Sequence, residues 1–145
     1  MKLSTRVQYG VRALLVLASQ DESVPFSLSE ISRREDISLA YLGQIFNRLR
    51  RKGLVESVRG PGGGFKLARK PEKITIGEII RALENVTLVE CIRDVRKCSR
   101  SHICSARSLW EKVGNTLDLA LEGITLADIS KGEREKENNN LCPGN

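Results

Sequence analysis

The sequence has little of what most enzymes need, beginning with histidine. His102 is the single histidine among 145 residues, and it lies in a stretch without regular apolar periodicity. A hydrolase needs a nucleophile beside an oriented base, which one such histidine supplies poorly. The glycine-rich segment 60–64 lacks the Gly-Lys-Ser/Thr ending of a phosphate-binding loop and leads into a strand pattern rather than a helix. The sequence therefore predicts a protein that is not an enzyme and has no small-molecule substrate.

Long apolar runs are also absent. The longest apolar patch, residues 11–18, is interrupted by Arg12 and is far shorter than the roughly 20 residues that cross a bilayer. Residues 1–12 do not resemble a signal peptide. We therefore expect a cytoplasmic protein without a membrane partner. In that compartment the four cysteines are more readily ligands or redox-active thiols than structural disulfides.

Aromatic residues are few, at 4%, and positive charge is unevenly distributed. Residues 1–75 hold 14 Lys and Arg against 7 Asp and Glu, whereas residues 76–145 hold 10 against 11. The net charge of +6 thus comes from the first half of the chain. A basic excess confined to one half is typical of a polyanion-binding face.

Helical patterns in the first half predict a helix-turn-helix. An apolar periodicity predicts a first helix up to about Ser19, and Ser27 with Glu30 forms a capping box that opens a second, ending near Glu35. Ser38 is a good N-cap for a third helix. Its apolar positions recur at helical spacing, and its other face is polar and basic: the apolar set is Leu42, Ile45, Phe46 and Leu49, and the polar set is Tyr41, Gln44, Asn47, Arg48, Arg51 and Lys52. Two helices joined by about three residues predict this motif.

A short hairpin is predicted to follow the third helix. Gly53 ends the helix, residues 54–59 alternate as a half-buried strand, residues 60–64 form a glycine-rich turn, and residues 65–67 return. The fold class is therefore mainly α, with a winged helix-turn-helix domain over residues 1–75 and a two-stranded wing at about residues 54–68.

The second half is predicted to carry a short helix, a loop and a dimerisation helix. Thr75 and Glu78 form another capping box for a helix to about Asn85. Residues 87–104 lack periodicity and hold three cysteines, which predicts a loop. Residues 105–123 form a long helix with a broad apolar face, best covered by a second copy of the chain, although it could instead fold back on the first helix. Residues 131–145 are charged and Asn-rich, which predicts disorder.

A basic helix followed by a basic-tipped hairpin favours DNA binding. The helix fits the major groove, with polar side chains available for base edges. Arg59, beside a turn without side chains, can approach the minor groove or a phosphate. Each piece alone is explained as well by an ordinary solvated surface. A competing hypothesis is a small cluster- or thiol-carrying protein whose basic face docks an acidic protein.

The three cysteines of the loop have an unusual spacing. Cys91, Cys98 and Cys104 are separated by six and then five residues, which is neither the paired spacing of structural zinc sites nor the ferredoxin spacing. Neighbouring arginines and Lys97 favour thiolates, and soft thiolates suit an iron–sulfur cluster first and zinc second. A cluster, redox-active thiols, zinc and inert cysteines therefore remain open in that order.

Several motifs resemble the IscR-type family of bacterial winged-helix regulators, whose relatives include NsrR and CymR. They are Met1 to Ser4, Ile37 to Leu42, Gly53 to Val55 and, above all, Val58 to Phe65 (VRGPGGGF), and the similarity covers residues 1 to about 130. The resemblance implies a homodimer that binds double-stranded palindromic promoter DNA and responds to an iron–sulfur cluster, 2Fe–2S in IscR-like members. It implies control of cluster biogenesis genes, or of cysteine metabolism or a nitric-oxide response in CymR- or NsrR-like members.

The resemblance also implies roles for individual residues. It places Ser38, Tyr41 and Gln44 at the major groove, Arg48 and Arg51 at phosphates, Arg59 and Gly60 at the minor groove, and Cys91, Cys98 and Cys104 on the cluster. Two departures leave the fourth ligand unassigned. Arg107 stands where some members carry a histidine, and Gln8 stands where NsrR-like members carry an acidic ligand. His102, Glu90, Asp94 or a group of the partner subunit remain candidates.

Overall fold

The described residues form six α-helices, a further short helix at their end and one hairpin. The structure, a computed structural model, describes residues 2–131. The regular elements are α1 (Thr5–Ser19), α2 (Leu28–Glu35), α3 (Leu39–Arg51), β1 (Val55–Val58), β2 (Gly64–Leu67), α4 (Ile76–Leu83), α5 (Glu90–Arg93) and α6 (Arg107–Glu122). Single 3-10 turns lie at Pro71–Lys73 and Val95–Lys97, and residues 126–131 are helical.

Local signals define the helix-turn-helix. The predicted capping box opens α2, because Ser27 Oγ accepts from the Glu30 N–H and the Glu30 carboxylate accepts from the Ser27 N–H. Asp36 adopts a left-handed conformation with φ 53° and ends α2. Two residues later, Ser38 Oγ accepts from the Tyr41 N–H at 3.2 Å and caps α3. The predicted motif is thereby confirmed.

The wing is an antiparallel hairpin held to the body of the domain. Val55 pairs with Leu67 at its base and Val58 with Gly64 near its tip. Gly60 (φ 100°) and Gly62 (φ 76°) supply the left-handed turn that the glycine-rich sequence predicted. Phe26 pairs with Phe65 through two backbone hydrogen bonds of 2.8 and 2.9 Å, so the segment before α2 extends the hairpin by one bridge.

One apolar core joins α1, α3 and α4 beneath the wing. Phe46 and Leu42 on α3 are fully buried, as are Leu14 on α1 and Leu83 on α4. Gly10 lets α1 and α4 approach, because a Cβ there would collide with the Leu83 side chain. The predicted apolar stripe of α3 is therefore its packed face.

The second half of the chain differs in detail from the prediction. The thiol-bearing segment 87–104 is not wholly a loop, since it contains α5 and the 3-10 turn at Val95–Lys97. The predicted long helix is present as α6, which packs on α4 and α5. Part of its predicted apolar face is open to solvent in the single chain, with Leu109 and Trp110 exposed by 53% and 37%, whereas Leu121 packs against the core. Within the predicted disordered tail, Lys131 is helical and residues 132–145 lie outside the described residues.

Candidate nucleic-acid interface and cysteine segment

The outer face of α3 carries most of the predicted DNA-contacting residues. Gln44, Arg48 and Arg51 are exposed on the side opposite the buried stripe, and Ser38 is exposed at the start of the helix. No side-chain ion pair within residues 2–131 involves either arginine. Both guanidinium groups can therefore pair with phosphates without breaking an existing contact.

Tyr41 contributes to the packing between helices as well as to the surface. Its ring is half-buried and lies edge-on to Tyr9 of α1, with centroids 6.0 Å apart. The Arg12 guanidinium stacks over Tyr9 at 5.4 Å and pairs with Glu35 of α2 at 3.0 Å. Together these contacts join α1, α2 and α3, and a sequence pattern cannot reveal them because the two tyrosines are 32 positions apart.

The tip of the wing presents the other predicted contact. Arg59 and Gly60 are both exposed, and no ion pair holds Arg59 within the described part of the chain. At the opposite side of the hairpin, the Phe65 ring packs edge-on against Phe46 with centroids 4.9 Å apart. Phe65 thus fixes the wing relative to α3, and the predicted minor-groove residues lie on a supported hairpin.

The three predicted ligand cysteines lie on three different local structures. Cys91 is on α5, Cys98 follows the 3-10 turn, and Cys104 precedes α6. All three are half-buried free thiols. Among residues 2–131, no three His, Cys, Asp or Glu side chains lie close enough together to hold a metal ion. The structure therefore places the thiols in one segment without gathering them at one point.

The candidate fourth ligands differ in how they are held. Glu90 pairs with Lys97 at 3.0 Å and Asp94 with Arg96 at 3.0 Å. Hydrogen bonds from these cationic partners lower the pKa of both carboxyl groups. His102 is exposed, and no side-chain hydrogen bond of the described chain involves it. The carboxylates are therefore ionised but already paired, whereas the imidazole is unengaged.

Arg107, at the position where some members of the resembled family carry a histidine, stabilises the packing of two helices. Its Nη1 donates to the Cys91 carbonyl at 3.3 Å and its Nε donates to Glu111 at 2.9 Å. One guanidinium thus ties α5 to the first turns of α6. Nearby, Ser101 is only 5% exposed, and its Oγ is buried without a hydrogen-bond partner. Because a buried hydroxyl without a hydrogen-bond partner costs free energy, the Ser101 side chain destabilises this segment unless another group supplies an acceptor.

The far end of α6 is joined to α4 and to the residue before it through Glu122. Its carboxylate accepts from Thr75 Oγ1 at 2.9 Å and pairs with Arg81 of α4. The hydrogen bond from Arg81, followed by that from Thr75, lowers the pKa of Glu122. Two backbone bonds lie beside this pair, from Ile76 N–H to Ile124 O and from Leu126 N–H to Ile74 O. Sequence spacing did not predict this junction, because its members are about 45 residues apart.

Known proteins are similar to this chain in sequence and in architecture. The family model described as Rrf2, iron-dependent transcriptional regulator, matches residues 3–132. The transcriptional regulator IscR of Cronobacter sakazakii is 41% identical over 130 residues, which cover 89% of this chain and 80% of the relative. The solved structure of IscR from T. potens is 37% identical with a TM-score of 0.77, covering 99% of this chain and 94% of that one.

A second solved structure, CymR of B. subtilis, described as the global cysteine regulator, is 34% identical with a TM-score of 0.74. The match covers 90% of this chain and 97% of the CymR chain.

No helix within residues 2–131 is both long and apolar enough to cross a membrane. The shared winged helix and the family match confirm the predicted fold, the IscR-type resemblance and the absence of an enzymatic role. The chain belongs to the Rrf2 family of transcriptional regulators.

Proposed function

We propose that this chain is a homodimeric regulator of promoter DNA in the cytoplasm, and that an iron–sulfur cluster in residues 87–104 controls its affinity. One observation carries the proposal: three free, half-buried thiols lie in a segment packed on α6, and α6 in turn is joined to the helix-turn-helix domain. The candidate sensor and the candidate DNA face are thus linked within one chain.

The DNA-binding part of the proposal is supported by exposure and charge. We assign α3 to the major groove, with Ser38, Tyr41 and Gln44 near base edges. Arg48 and Arg51, which form no ion pair within residues 2–131, would contact phosphates. The wing would bring Arg59 to the minor groove, where Gly60 permits close approach of the backbone.

The donor set fits an iron–sulfur cluster. Cys91, Cys98 and Cys104 would hold it, since each has a free thiol and soft thiolates are the ligands such clusters prefer. The unsatisfied Ser101 hydroxyl lies between the second and third cysteine and would gain an acceptor in a thiolate or sulfide. When bound, the cluster, which we propose to be 2Fe–2S, supplies a redox-active link that depends on iron and oxygen. The fourth ligand stays open among His102, the paired carboxylates and a group of the partner subunit.

The route from this segment to DNA runs through α6. Arg107 joins α5 to the start of α6, and Glu122 joins the end of α6 to Thr75 and Arg81 at α4. Because α4 packs against α1, α3 and α6, a change in the position of α6 would be transmitted through α4 to α3. Drawing the three thiols together would shift the population between two arrangements of α6 and hence the spacing of the two recognition helices in a dimer.

The dimer is supported by the apolar side chains that the single chain leaves uncovered on α6. Leu109 and Trp110 are exposed by 53% and 37%, and Ile124, two residues after the helix, is exposed by 42%. Side chains of this size rarely cluster on one exposed helix of a monomer. Twofold pairing of α6 would bury them and would also present two recognition helices to a palindromic site.

A second candidate function is a thiol-redox regulator without a cluster. It is favoured by the separation of donors, because no three candidate metal ligands lie together among the described residues. In that case oxidation of one thiol, in the cationic setting of the segment, would supply the signal. Control of cysteine metabolism or of a nitric-oxide response fits the same architecture.

The test is purification without oxygen followed by a visible spectrum and by iron and sulfide analysis. Cys98→Ala removes one proposed ligand, and Cys142→Ala, which changes the fourth cysteine of the sequence outside the segment, is the matched control. We expect a coloured wild type and control, and a colourless Cys98→Ala protein. A colourless wild type that still binds promoter DNA selectively would instead support the thiol-redox candidate.

A further inference from the structure

The first turn of the recognition helix exposes apolar rather than polar side chains. Leu39, the first residue of α3, is 48% exposed, and Ala40 beside it is also exposed. The other large apolar residues that are exposed in the described chain lie outside α3: Val24, Val58, Val95, Ile103, Leu109, Trp110, Leu119 and Ile124. Among the described residues, Leu39 is thus the large apolar side chain that α3 leaves exposed.

The exposure of Leu39 follows from its place in the helix. It continues the spacing of the buried stripe, three residues before Leu42, but it lies at the end of the stripe, where the core does not cover it fully. One turn further on, at i+4, stands Gly43, where an added Cβ would meet no atom within 4 Å. No neighbouring side chain on the helix thus covers Leu39, and the open space beside it allows another molecule to approach.

The polar groups of this turn are partly engaged within the protein. Ser38 Oγ already accepts from the Tyr41 N–H as the helix cap, and the Tyr41 ring is packed edge-on against Tyr9. What remains on the leading turn is a branched apolar side chain and a methyl group. In a helix-turn-helix these N-terminal residues are the ones that reach base edges.

We infer that Leu39 and Ala40 read the 5-methyl groups of thymine in the major groove. Thymine is the base that presents an apolar group there, and apolar side chains recognise it by contact without a hydrogen bond. The inference rests on the proposed DNA-binding role of α3 and deepens it, since it assigns specificity to two residues that carry no donor or acceptor. Gln44 and Arg59 would then supply the polar part of recognition.

The test replaces thymine by deoxyuridine, which removes only the methyl group. The probe is a duplex selected from random sequence by the wild-type protein, with each thymine of one half-site changed in turn. Burying one methyl group corresponds to about a three- to fivefold change in affinity. We expect at least one position where deoxyuridine weakens wild-type binding by about that factor.

The variants Leu39→Ser and Ala40→Ser identify the side chain responsible. We expect one or both to bind thymine and deoxyuridine probes equally at that position, while Val24→Ala, which changes an exposed apolar residue in the α1–α2 connection, keeps the wild-type ratio. Circular dichroism and binding to random DNA at low salt verify that each variant folds. Loss of the ratio in either variant supports the inference.

Two results would overturn it: no thymine whose methyl group matters, or a thymine preference that persists in both serine variants. Failure of the wild type to select any sequence would be a separate outcome. That result would contradict the proposed function itself, because selection does not depend on which residue of α3 makes the contact.

Discussion

Replacing Gly64 by alanine should disrupt the contact between the wing and the segment before α2. Gly64 starts β2 where it crosses the segment before α2, and an added Cβ would lie 2.5 Å from the Phe26 carbonyl carbon and 2.9 Å from the Ser27 nitrogen. These are backbone atoms that cannot rotate away. Relieving the contact means moving the strand by about 1 Å, which breaks the two hydrogen bonds between Phe26 and Phe65.

The expected loss of stability can be worked out from these contacts. Two backbone hydrogen bonds contribute about 1–3 kcal/mol together. Alanine also lowers the conformational entropy of the unfolded chain, which offsets this loss by about 0.4–1 kcal/mol. We therefore expect Gly64→Ala to lower the free energy of unfolding by about 1–2 kcal/mol, or the melting temperature by roughly 3–6 °C.

Gly43→Ala is the matched control for this prediction. Gly43 lies inside α3, where an added Cβ meets nothing within 4 Å. Alanine in place of a helical glycine gains about 0.8–1 kcal/mol. Urea unfolding at equal protein concentrations measures both variants. Opposite signs are expected, and a Gly64→Ala protein as stable as the wild type would refute the assignment of a close approach at this position.

Two further predictions concern the wing and the junction at α6. Arg59→Ala should weaken binding to the selected promoter duplex by about 1–3 kcal/mol, measured by fluorescence anisotropy. Arg59→Lys keeps the charge and should therefore keep most of the binding to random DNA. If Arg59→Ala bound the selected duplex as tightly as the wild type, the wing would not be part of the interface. Glu122→Gln should lower stability at neutral pH by about 0.3–1 kcal/mol, because this half-exposed carboxylate loses its charge opposite Arg81. Since folding lowers the pKa of Glu122, this difference should be full above its ordinary value of 4.5 and vanish as the pH falls through the lowered folded-state pKa. A difference that is constant from pH 7 to pH 3 would contradict the ion pair.

The fold was predictable where the signals are local. The capping boxes at Ser27 and Thr75 satisfy backbone groups within one helical turn, so a pattern of four residues is enough to define each helix start. The wing was predictable for a similar reason. Gly60 and Gly62 both adopt positive φ angles that other residues avoid, and the turn therefore appears in the sequence as glycine.

The remaining features depend on contacts between distant positions. The one-turn helix α5 was predicted as loop, because four residues carry too little periodicity, and its packing on α6 through Arg107 cannot be read from spacing. The packing of Tyr41 on Tyr9 and the junction at Glu122 are likewise products of the fold. At the candidate site, sequence alone identified the exposed cations of α3 and the wing. It did not reveal the exposed Leu39 or the unsatisfied Ser101.

The central claim is that occupancy of the segment 87–104 changes the affinity for DNA. The most direct measurement is anaerobic anisotropy with the selected duplex, made on one protein sample before and after iron chelation, beside Cys98→Ala. The account predicts that chelation changes the wild-type affinity and that Cys98→Ala matches the chelated protein both before and after treatment. A wild type that loses its iron and sulfide without any change in affinity would contradict it.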